Sequence, residues 1–94
     1  MEYLIKVHMA LYKENVGFVV IGHNKDWRTI HDCSKILDVK GKNVVIRTSE
    51  GDCLFEVVNL DISFSFTGIP CFGLVLKEND NFEKIASGDK VFKV

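Results

Sequence analysis

The sequence predicts an all-β domain: a small closed or partly open six-stranded β-barrel formed by residues 1–94 as one unit. Two observations carry this. Apolar residues recur with period 2 or in short β-branched runs, and turn-forming clusters separate these runs every 8–15 residues.

Each element can be justified in order. Residues 3–11 alternate, with Tyr3, Ile5, Val7, Met9 and Leu11 on one face. "VGFVVIG" (16–22) is a β-branched run with glycine at both ends, and "NVVIRT" (43–48) follows the turn-forming "KGKN". Residues 54–66 give the clearest strand. Leu54, Val58, Leu60, Ile62, Phe64 and Phe66 fall on an even face expected to be buried, whereas Asn59, Asp61, Ser63 and Ser65 fall on a wet odd face. "TGIP" turns the chain into "CFGLVLK" (71–77), "ENDN" turns it again, and "KVFKV" closes it. One segment is ambiguous. In "DWRTIHDCSKIL" (26–37), Trp27, Ile30, Cys33 and Leu37 have helical spacing behind a potential Asp26 cap, so one short helix is compatible with it. A loop-and-strand excursion is preferred, because a lone short helix is marginal without packing.

A heptapeptide recurs. "GDCLFEV" (51–57) and the final "GDKVFKV" (88–94) share Gly-Asp-x-(Leu/Val)-Phe-x-Val. Glycine accepts positive φ and a neighbouring Asp bonds its own backbone, so Gly-Asp turns sharply into a strand. Two turn-to-strand transitions have reached one solution, because similarity does not extend between the copies. Phe92 and Val94 are expected to seal the barrel.

Composition narrows the function classes. The chain is 47% apolar and 27% charged, as in an ordinary globular domain. Three cysteines without close pairs argue against a disulfide framework and for a reducing compartment. No basic, then apolar leader and no run near the roughly 20 residues of a membrane span is seen, so a cytoplasmic location and no membrane partner are expected. The net charge of −1 is unevenly distributed, with residues 23–47 carrying +3 and residues 48–94 carrying −4.

The order and spacing of several motifs add a resemblance. "VGFVVIG" (16–22), "KILDVKGKNVVI" (35–46), "FEVVNLDI" (55–62), "SFTGIPCFGLVL" (65–76) and "IASGDKVFKV" (85–94) follow one another as in a known barrel. From residue 16 onward the chain resembles the β-barrel domain of translation factors, the second domain of the elongation factor Tu class, and the small stand-alone elongation-factor-like proteins. It departs at "GKN" (41–43) and "GIP" (68–70), where that family usually has Gly-Asp and Ala-Gly-Asp, and residues 23–34 look like an insertion. The resemblance implies a barrel that elsewhere sits beside a GTPase domain and contacts RNA or ribosome. No phosphate-cradling G-x-x-x-x-G-K-(Ser/Thr) occurs here, since Gly17 to Gly22 is followed by His23 and Asn24; no nucleotide-triphosphate site is expected.

Catalytic and metal chemistry find little support. His31, Asp32 and Cys33 are adjacent and cannot converge as a triad, since neighbours on a strand point to opposite faces. His23, His31 and Cys33 could seed a zinc site, but no Cys-x2-Cys pair is present. His8 falls on the polar face of the first strand and is expected to be solvated, and Asp61 lies on a wet face. No enzyme activity, cofactor or metal is therefore expected, with a small cysteine/histidine metal-binding or hydrolytic protein as the alternative.

The preferred reading is a non-enzymatic binding module with a protein or ribonucleoprotein partner, RNA included. Recognition is expected in residues 23–47, where Trp27 offers an aromatic face and Arg28, Lys40, Lys42 and Arg47 offer charge. Alternatively, Trp27 covers the open end of the barrel.

Overall fold

The computed structural model describes residues 1–29, 31–65 and 67–94. Six antiparallel strands close into a barrel: β1 (Glu2–Lys13), β2 (Gly17–His23), β3 (Asn43–Thr48), β4 (Gly51–Phe64), β5 (Pro70–Leu76) and β6 (Lys90–Lys93). Their order around the wall is β1-β2-β5-β4-β3-β6. Each strand has a partner on both sides, which leaves only short stretches of the corner strands, Met9–Lys13 of β1 and Asn59–Phe64 of β4, paired along one side.

The two longest strands are the corners. β1 pairs with β6 through Glu2–Lys6 and with β2 through Lys6–Lys13. β4 pairs with β3 through Gly51–Glu56 and with β5 through Val57–Phe64. Each changes partner at a bulge, where the register skips between Val7 and Met9 or between Val57 and Asn59. An extra residue bends the strand and lets it serve two sheets that cross.

The bulges also invert the alternation read from sequence. In β4 the residues facing inward are Cys53, Phe55 and Val57 before the bulge, and Leu60 and Ile62 after it. Leu54 (52% exposed), Val58 and Phe64 face solvent, so of the expected even face only Leu60 and Ile62 turn inward, and these are half-buried. Phe66 lies outside the described residues. In β1, Leu4 and Ile5 are both buried while Met9 is exposed, because this strand bulges a second time between Tyr3 and Ile5.

Two crossovers join the sheets and close the open sides. Residues 24–42 link β2 to β3 and contribute Trp27, Cys33, Ile36 and Val39 to the core. The Asn24 side-chain amide donates to the Leu4 carbonyl at 2.8 Å, and Trp27 meets Phe72 edge-on with centroids 5.7 Å apart. The helix in this segment is one turn, α1 (Ser34–Leu37). Its N-cap is Cys33, not Asp26, and has no side-chain cap bond among the described residues; the Asp32 carboxylate accepts the Arg28 and Thr29 amides, and Ile30 lies outside the described residues. Residues 77–89 close the other side through a 3-10 turn (Asp80–Lys84), with Ile85 buried and Phe82 packed on the core.

The chain's end differs from expectation. Val91, not Phe92, seals the barrel; Phe92 faces outward half-buried and Val94 is 70% exposed. Among the described residues no helix is long and apolar enough to cross a membrane.

Candidate nucleic-acid interface

Strand register places two rows of side chains side by side on the outer wall. The first is apolar. Leu54 of β4 opposes Val45 of β3, Val45 opposes Phe92 of β6, and Phe92 opposes Tyr3 of β1. These four stand on the solvent side because Phe55, Val44, Val91 and Leu4, each next in sequence to one of them, are buried. Tyr3 and Phe92 meet edge-to-face with centroids 5.8 Å apart.

The second row is cationic and lies two residues away along β4, β3 and β6, and three along β1, where the bulge between Tyr3 and Ile5 adds one. Asp52 opposes Arg47, Arg47 opposes Lys90, Lys90 opposes Lys6, and Lys6 opposes His23. The Arg47 side chain grips Asp52 through Nε–Oδ1 at 2.9 Å and Nη2–Oδ2 at 3.3 Å. Among the described residues neither Lys6 nor Lys90 joins an ion pair. Like charges directly opposite one another on a sheet are destabilising. Three cations in one rung with a single carboxylate therefore leave a surplus that an anionic ligand would relieve.

The rows are coupled. The Arg47 guanidinium lies 4.6 Å from the Phe92 ring centre, and the Lys90 ammonium lies 5.9 Å from that of Tyr3. Cations over ring faces are attracted by the ring quadrupole, which holds long side chains over the aromatic row. At the β1 end a cleft of about 370 Å³ is lined by Tyr3, Lys6, His23, Lys25, Asp26 and Lys90. Burial, and then the nearby Asp26 charge, push the Tyr3 hydroxyl pKa upward, so it remains a neutral hydrogen-bond donor there. Burial, His8 and Lys6 together hold His23 below its ordinary value, so its ring is neutral at pH 7.

The five residues expected to bind a partner do not form one surface. Trp27 is 8% exposed and packed on Phe72, so it covers the barrel end rather than offering a face. Arg28 is exposed in the crossover, next to the amide–Asp32 turn. Lys40 and Lys42 precede β3, at the opposite end of that strand from Arg47, and Lys42 pairs with Asp38 at 3.4 Å. Arg47 alone joins the rung. The basic excess of residues 23–47 is also partly neutralised, since Lys35 pairs with Glu2 at 3.0 Å.

Tyr3, Lys6, Lys90 and Phe92 escaped the sequence reading. Their signal is the alternation in "KVFKV", whose Lys90 and Phe92 share a face; which face it is depends on register with β1 and β3. The zinc grouping of His23, His31 and Cys33 is not assembled: among the described residues no three His, Cys, Asp or Glu side chains are gathered for one ion. Cys33 is buried, its Sγ donating to the Thr29 carbonyl, with its pKa raised by burial and then by Asp32.

Fold and face together define a small closed β-barrel with an outward aromatic row beside a cationic one. Set against protein-family models, curated proteins and solved structures, the chain matches none.

Proposed function

We propose that this protein is a non-enzymatic binding module that holds a single RNA strand, as part of a ribonucleoprotein, on the outer face formed by β1, β6, β3 and β4. The observation that carries this is the cationic rung Arg47–Lys90–Lys6 lying beside the aromatic pair Phe92–Tyr3. Strand-binding proteins need this combination, with cations tracking the phosphates and aromatic faces on which bases stack. A strand running across β3, β6 and β1 would set its phosphates along the rung and its bases on Phe92 and Tyr3. The resemblance to translation-factor barrels, which contact RNA beside a GTPase domain, supports the same reading. The non-enzymatic part is supported by the buried, protonated Cys33 thiol and by Asp61, which lies on the wet face of β4.

The test is fluorescence anisotropy of labelled oligouridine and of a protein-free duplex with the wild type, Tyr3→Ala and Phe92→Ala. Loss of a stacking partner costs about 1–3 kcal/mol per base. Both variants should therefore weaken single-strand binding while keeping a wild-type far-UV spectrum. Binding that is absent, or indifferent to both substitutions, would reject the reading. Ribonuclease-resistant capture of a protein on the Leu54–Val45 end of the row would replace it with a protein-docking one.

A further inference from the structure

A second site lies on the same wall and rests on different observations. His8 is the extra residue of the first β1 bulge, as Val7 opposes Gly22 while Met9 opposes Ile21. It points to solvent, towards the end of β2, where His23 is the last residue. The two rings meet with centroids 4.4 Å apart and planes inclined by 65°. His8 Nε2 and His23 Nδ1 face each other in direct contact. Gly22 makes this approach possible: a Cβ there would run into the Lys6 carbonyl, so only glycine lets the bulge press onto β2.

Two imidazole nitrogens held face to face need a hydrogen or a metal ion between them. Two lone pairs repel, so either one ring donates its N–H to the other's lone pair or both lone pairs clasp a cation. Room for the second exists. One cleft of about 340 Å³ is lined by His8, His23, Ser65, Thr67 and Cys71 among others. Another of about 300 Å³ is lined by Lys6, Val7, His8, His23 and Ser87. The pair thus stands between two openings through which an ion can enter and keep coordinated water. Among the described residues no carboxylate lines either cleft, which disfavours the hard, oxygen-seeking Mg²⁺ and Ca²⁺. Imidazole suits Zn²⁺, Ni²⁺ and Cu²⁺. Metal–nitrogen distances of about 2.0–2.1 Å ask the two nitrogens to part to about 3 Å, a movement open to the exposed His8 ring beside the half-buried His23. Cys71 shares the first cleft, where its Sγ makes only a weak contact of 3.6 Å to the Gly22 carbonyl. Lys6, in register with His23, opposes a cation and moderates affinity.

We propose that His8 Nε2 and His23 Nδ1 form a two-imidazole site for a borderline divalent transition-metal ion of the Cu²⁺, Ni²⁺ and Zn²⁺ class, with the remaining coordination positions open to water. This site needs neither the aromatic row nor RNA.

The experiment is calorimetric titration of chelator-stripped full-length protein with CuCl2, ZnCl2 and, separately, MgCl2. One equivalent of Cu²⁺ should bind, Zn²⁺ more weakly in keeping with the general order of stabilities, and Mg²⁺ not at all. His8→Ala and His23→Ala should each weaken Cu²⁺ binding at least about tenfold, the scale on which metal sites respond to lost support. Lys6→Ala should strengthen it, and His31→Ala should leave it unchanged. Melting curves of the apo variants keep a folding defect from passing as a binding one. Absence of saturable binding, or binding that persists in the His8→Ala/His23→Ala double variant, would leave the pair as a ring-to-ring hydrogen bond and overturn the proposal. Oligouridine binding retained in the double variant, with metal binding lost, keeps this outcome separate from that of the RNA face.

Discussion

Phe55 and Phe92 occupy the same place in the two copies of Gly-Asp-x-(Leu/Val)-Phe-x-Val, yet point to opposite sides of the barrel wall. Phe55 is 1% exposed in the core, while its neighbour Leu54 faces solvent. In the second copy Val91 is fully buried and Phe92 lies outside beneath the Arg47 guanidinium. Both copies do begin at a positive-φ glycine, Gly51 at 116° and Gly88 at 96°. The shared motif therefore specifies a turn into a strand and leaves the facing to the pairing partners. Phe55→Ala should cost about 3–5 kcal/mol, as buried Phe truncations do. Phe92→Ala should cost about 1 kcal/mol, because it loses cross-strand contacts without opening a core cavity. Urea denaturation of both variants measures the difference, and equal midpoints would contradict the opposite facings.

Gly22 and Gly73 make a matched pair of strand glycines. A methyl at Gly22 meets the Lys6 backbone carbonyl, which only movement of the β1 bulge could relieve. A methyl at Gly73 finds Asp61 Cβ and Val19 Cγ1 at 3.8 Å, an ordinary contact. Gly22→Ala should therefore destabilise by about 1–3 kcal/mol, the range for overpacking. Gly73→Ala should be close to neutral. Thermal melts of the two variants side by side decide it, with an unaffected Gly22→Ala counting against the tight bulge.

Acid should weaken the fold through three surface carboxylates. The Lys93 ammonium holds Asp38 below the usual carboxylate range, Arg47 does so for Asp52, and the Arg28 and Thr29 amides do so for Asp32. Each has a lower pKa folded than unfolded, so the unfolded chain binds more protons over that interval. Their stabilisation is complete above the ordinary carboxylate value near 4 and is lost as the pH falls through the depressed folded values. Exposed pairs contribute modestly, so the effect is a graded fall in melting temperature rather than an abrupt collapse. Asp38→Asn should flatten the acid limb of a melting-temperature profile below about pH 4, and an unchanged limb would show the Lys93 contact to be energetically idle.

Salt dependence separates the rung from the rest of the basic surface. Each phosphate neutralised on a single strand contributes about −0.7 to the slope of log affinity against log salt. Arg47, Lys90 and Lys6 acting together predict a slope near −2 for oligouridine. Lys90→Ala and Lys6→Ala should each make it shallower by about 0.7. The Lys40→Ala/Lys42→Ala double variant should leave it unaltered, since those lysines sit at the far end of β3. Anisotropy at several salt concentrations gives the slopes directly; a loss confined to the Lys40/Lys42 variant would move the interface to the crossover.

A six-stranded all-β barrel is legible in the sequence, as is the approximate place of each strand, though β4 starts three residues earlier than its alternation indicates. Strand signals are local: alternation, β-branched runs and glycine-led turns act within a few residues. β3 was delimited at residues 43–48, as it stands in the structure, and β2 and β5 were placed to within one residue. What tertiary structure decided is which face of each strand meets the core and which side chains become neighbours. A bulge at Val57–Asn59 reverses the phase of β4 in mid-strand, and nothing in the local alternation marks it. For the same reason the sequence leaves Trp27 open between an exposed anchor and a cover for the barrel end, and packing against Phe72, 45 positions away, decides for the cover. The candidate face draws Tyr3, Lys6, Arg47, Lys90 and Phe92 from three strands, and the His8–His23 contact draws on two. Period-2 patterning fixes that two faces exist; only long-range register, set when the barrel closes and the bulges bend it, assigns their neighbours.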